Sequence, residues 1–463
     1  MGEPEFRSLP SADRLLRTPT VGALIARYTH PAVIYLVRDV LSAYRKEIAS
    51  GSKPPTLDES ADRVARRAAM EWSIPKPIIN ATGVVLHTNL GRAPLSIEAA
   101  QAGINLSGYS DLEYDLQAGE RGSRYRRVEN LLRVLTGAES AHVTVNNASA
   151  VLLALTALTS GQEVVISRGQ AVEIGGGFRV PEILDQSGAR LVEVGTTNRT
   201  RPDDYDSAIT DRTAAILYVH SSNFRIIGFT QEVSLTELSE IAHHRSVPLI
   251  VDNGSGSMID TAQFGLAHEP MPSEAIAAGA DLVAFSADKL LGGPQAGLLI
   301  GRRPLVEQIG AHPLARAVRA DKMTLAMLTA TLLAYIRGDA TRTLPLWRMI
   351  ALSSEDMVRR AHDWQVRSVD AGFSVDVTPG ESTIGGGSLP AESLPTALIV
   401  LPAGVTARDL RACEPPVIGR TRDDRVVLDL RTVMPDQEDT LFRAVRGAVL
   451  GRSKNSVIDS ATP

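Results

Sequence analysis

The sequence predicts an α/β fold: a mainly parallel sheet covered by helices, preceded by a helical N-terminal module and followed by a smaller α+β domain. Three observations support this: helical apolar spacing near the N-terminus, short β-branched runs alternating with helical stretches from about residue 77, and a mixed pattern after about residue 325. A chain of 463 residues is also too long for one compact core. We place the boundaries at 1–75, 76–325 and 326–451, with a flexible polar tail at 452–463.

The N-terminal module is predicted to contain two main helices. Apolar side chains recur at helical spacing between Ala32 and Ile48, and Gly51 is a plausible stop. Residues 1–75 hold 11 Lys and Arg against 9 Asp and Glu, a balance of +2 in a chain of net charge −5. The basic residues on these helices include Arg38, Arg45, Lys46, Arg63, Arg66 and Arg67. The sign suits docking of RNA, although the net charge of the whole chain is mildly against it.

The middle of the chain alternates candidate strands with candidate helices, and this alternation predicts the parallel sheet. Ligands of such sheets bind at the carboxyl ends of the strands, so chemistry is expected just after each strand. The strand candidates are 163–167, 190–194, 214–220, 247–252 and 281–285, with helices such as 149–159 and 233–244 between them. Further strands are expected near 397–401 and 425–430 in the smaller domain.

Composition excludes several classes of protein. The single cysteine, Cys413, excludes a disulfide framework and a thiolate metal cluster, and we interpret it as a small, partly buried residue. The nine histidines are scattered, so we expect no metal site. The N-terminus lacks the apolar core of a signal peptide, and no apolar run is long enough to span a bilayer. We therefore expect a cytoplasmic protein.

One set of polar residues at strand ends fits the cofactor pyridoxal 5′-phosphate (PLP). Lys289, next to a buried strand, offers the amine that condenses with the cofactor aldehyde. Asp252 is placed to keep the ring nitrogen protonated, and Asn223 to orient the ring oxygen. The helix start at Asn147, Ala148 and Ser149 offers backbone donors to the phosphate, and Ser286 can add a hydroxyl.

Each of these residues alone is a weak signal. An Asp after a strand is usually a helix cap, Asn147 and Ser149 alone would be an N-cap, and Ser-x-x-Lys also occurs in β-lactamase-like proteins. The glycines after Asp252 lack the third glycine of a dinucleotide site, and the later glycine-rich stretch lacks a P-loop ending. The order and spacing carry the prediction, because Asp252 follows Asn223 by 29 residues and Lys289 follows Asp252 by 37. This pattern resembles the aminotransferase-like, fold type I PLP enzymes.

Longer strings resemble one family nearly throughout the chain, the bacterial L-seryl-tRNA(Sec) selenium transferases, or selenocysteine synthases. They are Ile79–Arg92, Tyr114–Leu116, Gly119–Arg127, Gly195–Thr200, Asn223–Ile226, Phe285–Gly297, Arg316–Lys322 and Leu428–Val433. The resemblance implies a PLP enzyme that converts serine on selenocysteine tRNA into selenocysteine, with selenophosphate as the selenium donor. It further implies a ring-shaped homodecamer with active sites between subunits and an N-terminal domain that binds the tRNA.

The same resemblance implies catalytic roles for Lys289, as the base for the Cα proton, and for three arginines near the selenium donor: Arg92, Arg316 and Arg319. From sequence alone, such arginines are more often surface ion pairs. The chain departs from the family pattern in small ways, with Gln170 where an acid is expected and Ser149 where alanine is common. The group that stacks on the cofactor ring is unassigned and is expected within Arg168–Glu173.

Two other functions compete with this interpretation. A related PLP lyase could eliminate water or ammonia from a small amino acid or amino sugar acid, but such relatives typically lack the N-terminal module. A non-catalytic RNA-binding scaffold of the same fold would have no use for Lys289 and Asp252.

Overall fold

The structure is a computed structural model that describes residues 8–173, 177 and 179–459, the last eight of these as backbone alone. The predicted polar tail, 452–463, therefore lies outside the residues whose side chains are described. The chain divides into two compact units, Met1–Pro77 and Ile78–Pro463.

The first unit is helical, as predicted. Its helices are α1 (Ala12–Leu16), α2 (Pro19–Arg27), α3 (His30–Ala49) and α4 (Leu57–Glu71). The apolar stripe of α3 is buried, with Val33, Leu36 and Val40 almost fully inaccessible. A capping box at Thr56 and Glu59 starts α4. The unit therefore has a hydrophobic core of its own.

The described residues of the second unit form two sheets and two short ladders. Its strands are β1 (Ile79–Asn80), β2 (Val84–Leu86), β3 (Tyr114–Asp115), β4 (Glu120–Arg121), β5 (Ser140–Thr144), β6 (Glu163–Ser167), β7 (Arg190–Val194), β8 (Thr213–Val219), β9 (Leu249–Gly254), β10 (Leu282–Ser286), β11 (Gly297–Gly301), β12 (Asp376–Gly385), β13 (Ser393–Val400), β14 (Val417–Ile418), β15 (Arg420–Arg422) and β16 (Arg425–Asp429). The predicted strands are present, each with ends shifted by no more than a few residues.

Helices connect most of these strands. They are α5 (Ile97–Asn105), α6 (Arg126–Thr136), α7 (Asn147–Thr159), α8 (Val180–Gln186), α9 (Pro202–Ala208), α10 (Leu235–His244), α11 (Pro272–Ala277), α12 (Arg303–Ala311), α13 (Pro313–Ala317), α14 (Lys322–Ile336), α15 (Ala340–Thr343), α16 (Pro345–Ala351), α17 (Ser354–Asp370), α18 (Ala407–Arg411) and α19 (Glu438–Asp459). None of the described helices is long and apolar enough to cross a membrane.

The main sheet has seven strands in the order β5-β11-β10-β9-β8-β6-β7. β11 runs antiparallel to both of its neighbours, and the other pairings are parallel, so the predicted mainly parallel sheet is confirmed. Alternate side chains along the strands pack into two hydrophobic cores, one on each face of the sheet. Val251 and Val283 belong to one core, and Ile250 and Ala284 belong to the other. Helices therefore cover both faces, as expected for a sheet whose strands are continuously apolar.

The second sheet has the order β15-β16-β13-β12-β2. Its strand β2 precedes the strands of the main sheet in sequence, whereas its other strands follow them. The chain therefore passes from the second sheet to the main sheet and back again. Helix α14 spans the boundary expected at residue 325, and its Leu325, Leu328 and Leu332 belong to a core of the main sheet. Separate domains at 76–325 and 326–451 stay a prediction.

Candidate active site

Three neighbouring parallel strands bring the predicted site residues together at their carboxyl ends. In the ladder, Asp252 of β9 is paired with Val219 of β8 on one side and Ala284 of β10 on the other. Asn223 follows β8, and Lys289 lies in the turn after β10. Adjacent parallel strands thus gather residues that are far apart in the sequence.

A cavity of about 690 Å³ lies at this edge of the sheet. Its walls include most of the residues predicted from the sequence. Those that line it are Arg92, Asn147, Ala148, Asn223, Asp252, Ser286 and Lys289, together with Thr88, Asn89, Asn146, His220, Ser222, Gly254, Asp288, Gln295, Gly386 and Gly387. Ser149, Arg316 and Arg319 are not among the lining residues.

Lys289 is held in the cavity wall with 8% of its surface exposed. Its turn is fixed by backbone hydrogen bonds, including Leu290 N–H to the Ser255 carbonyl at 3.0 Å. Desolvation by burial lowers the pKa of Lys289, while the charge of Asp252 partly opposes that shift. Because a neutral amine is the nucleophilic form of lysine, burial prepares this side chain for covalent chemistry.

Asp252 is 3% exposed and accepts a hydrogen bond from the Asn147 side-chain amide at 2.8 Å. Burial raises the pKa of Asp252, and the Asn147 hydrogen bond and the charges of Lys289 and His220 oppose that shift. A cation placed against this carboxylate would offset the cost of burying it. Such a cation is what a protonated pyridine nitrogen provides.

Two further observations fit a group bound beside Lys289 and Asn147. The Oδ1 atom of Asn147 is buried and has no hydrogen-bond partner among the described residues. Gly387 has a φ of +83°, and a Cβ there would lie 2.8 Å from Lys289 Nζ, so only glycine leaves room around that amine. The residues present thus fit PLP, the cofactor predicted from the sequence.

The helix start predicted to hold the phosphate is well formed. Asn146 caps α7 by accepting from Ser149 N–H at 2.8 Å, and the Ser149 hydroxyl donates to the Asn146 carbonyl at 2.7 Å. The first-turn N–H groups of Asn147 and Ala148 lie at the positive end of the helix dipole, where anions bind. Ser149 is engaged in the cap, so its contact with a phosphate stays a prediction.

Only one of the three predicted arginines lies at this cavity. Arg92, at a φ of +62°, bonds Asp288 through Nη1 at 2.8 Å. A non-glycine residue held at positive φ is strained, and such strain concentrates at functional sites. Arg316 and Arg319 are exposed, and Arg319 lies 3.9 Å from Glu113. Their roles stay predictions.

The cavity also contains residues that sequence reasoning missed. His220 follows β8 directly, and its strand-end position was a signal that could have found it. The Gly386–Gly387 turn, and Glu269 behind His220, carry no local motif. The stacking group was expected within Arg168–Glu173, but among the described lining residues the only ring is that of His220. Gln170 is buried and accepts from Val219 N–H at 3.1 Å, which gives it a structural role.

No group of three or more potential metal-binding side chains is present among the described residues. Cys413 is partly buried, and burial raises the pKa of its thiol.

Comparison with known proteins follows the same division of the chain. Residues 78–434 match the family described as L-seryl-tRNA selenium transferase, and residues 6–45 match the selenocysteine synthase N-terminal family. An L-seryl-tRNA(Sec) selenium transferase of Moorella thermoacetica is 46% identical over 462 residues, covering 96% of this chain and 97% of the relative. Another, of Carboxydothermus hydrogenoformans, is 42% identical over 457 residues, covering 96% of this chain and 98% of the relative.

Among solved structures, a D-glucosaminate-6-phosphate ammonia-lyase covers 81% of this chain and 96% of its own length, with a TM-score of 0.57 and 22% identity. That likeness concerns the fold. Fold and site together define an enzyme of the aminotransferase-like, fold type I class. Within that class, the chain belongs to the L-seryl-tRNA selenium transferase family. The resemblance found in the sequence is thereby confirmed.

Proposed function

We propose that this chain is a transferase that converts the seryl group of L-seryl-tRNA(Sec) into a selenocysteinyl group, with PLP as cofactor and selenophosphate as selenium donor. The observation that carries the proposal is the similarity over 96% of the chain to relatives that bear this activity in their names. The cavity supports it, because a buried lysine faces a buried aspartate beside a capped helix start.

Residues from each wall of the cavity would hold the cofactor. Lys289 would hold it through its aldehyde, Asp252 through the ring nitrogen and Asn223 through the ring oxygen. The N–H groups of Asn147 and Ala148, with the Ser286 hydroxyl, would hold the phosphate. When bound, PLP supplies an electron sink for charge that develops at the substrate α-carbon.

The chain's own residues then move protons and hold anions. Lys289, the pKa of whose amine is lowered by burial, would take the Cα proton of the seryl group. Arg92 binds the anionic selenium donor in the cavity, oriented by its ion pair with Asp288.

Arg316 and Arg319 are exposed and lie outside the cavity of their own chain. We propose that they reach the cavity of another copy of this chain in a ring-shaped decamer, where they bind the donor together with Arg92.

The helical unit is proposed to bind the tRNA in the cytoplasm. Arg63 pairs with Glu47 and Arg67 with Asp39, at 2.7 and 2.6 Å, so these two cations are already neutralised within the unit. Other basic side chains are exposed and have no ion pair among the described residues; they are Arg38, Arg45, Lys46 and Arg66. These are the better candidates for phosphate contacts.

The test is reconstitution with the full chain. Protein loaded with PLP is incubated with selenophosphate and either seryl-tRNA(Sec) or free serine, and the product amino acid is identified. Selenocysteine formed on the tRNA supports the proposal. Turnover of free serine alone would replace it with a lyase, and a protein that stays colourless under excess PLP would replace it with a scaffold.

A further inference from the structure

A buried histidine–glutamate pair lies beside Lys289 and has no part in the mechanism so far. His220 Nε2 lies 3.2 Å from Glu269 Oε1, and Glu269 is 2% exposed. A carboxylate on Nε2 fixes the tautomer of a neutral imidazole, with the proton on Nε2 and a bare Nδ1. His220 is one of the residues that line the cavity.

Glu269 also joins this pair to the opposite wall. Its Oε2 accepts from Leu389 N–H at 3.3 Å, two residues after the Gly387 that packs against Lys289 Nζ. Its charge acts on Lys289, raising that pKa against the effect of burial. Glu269 therefore links His220 to the segment that packs against the Lys289 amine.

The reaction needs a proton donor, because hydroxide is a poor leaving group. Five side chains that titrate line the described cavity: Arg92, His220, Asp252, Asp288 and Lys289. Arginine does not release its proton, Asp288 is bonded to Arg92, and Asp252 is assigned to the ring nitrogen. Lys289 is assigned to the Cα proton. His220 remains, and imidazole is the side chain that changes charge between pH 5 and 8.

On the basis of the proposed function, we propose that His220 is the catalytic acid that protonates the departing serine oxygen, and that Glu269 is its positioning residue. The charged groups around His220 are Glu269 from the loop before α11, Asp252 from β9 and, across the cavity, Arg92, Asp288 and Lys289.

The proton balance of this step is simple. Lys289 removes the Cα proton, and the electron pair left behind forms the second bond between Cα and Cβ. The Cβ–O bond breaks with its electron pair on oxygen, and the Nδ1 proton of the imidazolium passes to that oxygen. Water leaves, and a neutral imidazole still bonded to Glu269 remains to be protonated from solvent.

A change of leaving group tests this role. Seryl-tRNA(Sec) is compared with the same tRNA carrying β-chloroalanine, because chloride leaves without a proton. His220→Asn should slow water loss from the seryl substrate about 100-fold or more, the range that general acid catalysis supplies, and change chloride loss less than about threefold. Deuterium at Cα of the seryl substrate should still exchange with solvent, because Lys289 is intact.

Glu269→Gln provides a second variant should His220→Asn fold poorly. It should lose about tenfold on the seryl substrate alone. Histidine-selective nitrogen NMR of the protein without cofactor gives a readout apart from turnover. The single Nε2–H tautomer of His220 should give way to a mixture of both tautomers in this variant, because an amide can donate as well as accept. His243→Asn is the matched control, since His243 bonds Asp281 at 3.1 Å at the other end of the sheet. It should change neither rate.

The outcomes separate the two proposals. Wild-type protein without turnover on seryl-tRNA(Sec) would overturn the proposed function, and this inference with it. With active wild type, equal losses on both substrates in His220→Asn would overturn the role of His220 alone. An unchanged rate on the seryl substrate would do the same and would leave Lys289 as the donor.

Discussion

The two ends of the main sheet each bury a carboxylate beside a histidine, and they differ in how that carboxylate is satisfied. At the amino end, the Asp281 carboxylate is 2% exposed. It accepts hydrogen bonds from Arg302, His243 and the Leu249 N–H, at 3.1, 3.1 and 2.8 Å. At the carboxyl end, Asp252 is equally buried but faces a cavity and a lysine of lowered pKa. A buried charge satisfied by its own protein indicates structure, and one that faces a cavity indicates function.

Lys289→Ala should produce the largest effect at the carboxyl end. Without the amine, the visible absorbance of the bound cofactor and all turnover on seryl-tRNA(Sec) should disappear, while the thermal unfolding midpoint stays near that of wild type. Absorbance and product assays on the same sample measure both. Residual turnover at a tenth of the wild-type rate would contradict the assignment.

Asp252→Asn should have the second largest effect on turnover, because it removes the negative charge and keeps the shape of the side chain. Loss of the anion opposite the ring nitrogen should lower kcat about 10³-fold, a loss of the size seen when one electrostatic group is removed from an active site. Steady-state kinetics at saturating cofactor measure it. A small loss, with KM affected instead, would mean that Asp252 does not act on the ring nitrogen.

Asp281→Ala tests the amino end with the opposite expectation. It leaves the Leu249 N–H without its carboxylate partner and two side chains without their anion, so the free energy of unfolding should fall by about 3 kcal/mol. Turnover per folded molecule should not change. Denaturant unfolding and kinetics at low temperature separate the two effects, and a specific loss of kcat would break the comparison between the two ends.

His142 is a buried titrating group that does not line the cavity, so we expect it to affect stability rather than turnover. Burial lowers the pKa of His142 to about 4, so the folded state binds a proton there only at a lower pH than the unfolded state does. Its stabilising contribution is complete above about pH 6.5 and is lost as the pH falls toward 4, by about 2 to 3 kcal/mol. Unfolding of His142→Leu should lack this dependence, and parallel pH curves for the two proteins would refute it.

Arg66→Ala should have the smallest effect. Loss of one phosphate contact should weaken binding of tRNA a few-fold and reduce the slope of log affinity against log salt by about 0.7 to 0.9. Arg63→Ala, whose guanidinium is paired with Glu47, is the matched control. Equal changes in tRNA binding in the two variants would contradict a specific phosphate contact by Arg66.

The sequence predicted the strands that hold the site, because β8, β9 and β10 are continuous apolar runs followed by polar residues. It did not predict β5 and β11. Ser140–Thr144 is too polar in composition, and Gly297–Gly301 begins and ends in glycine, so neither shows a strand pattern of its own. Both are buried in the sheet, and tertiary packing decides their conformation.

The same limit applies within the site. Residues at strand ends, such as Asp252 and Lys289, were predictable because adjacent parallel strands must align their ends. Glu269 and Gly387 were not, since they lie in loops whose course the local sequence does not specify. Arg316 and Arg319 matched a family pattern, yet the structure of one chain leaves them outside its own cavity.

Reduction of the loaded protein with borohydride, followed by digestion and peptide mapping, shows directly which lysine binds the cofactor. We expect one pyridoxyl group per chain, on Lys289, with the visible band lost on reduction. A pyridoxyl group on another lysine, or none at all, would contradict it.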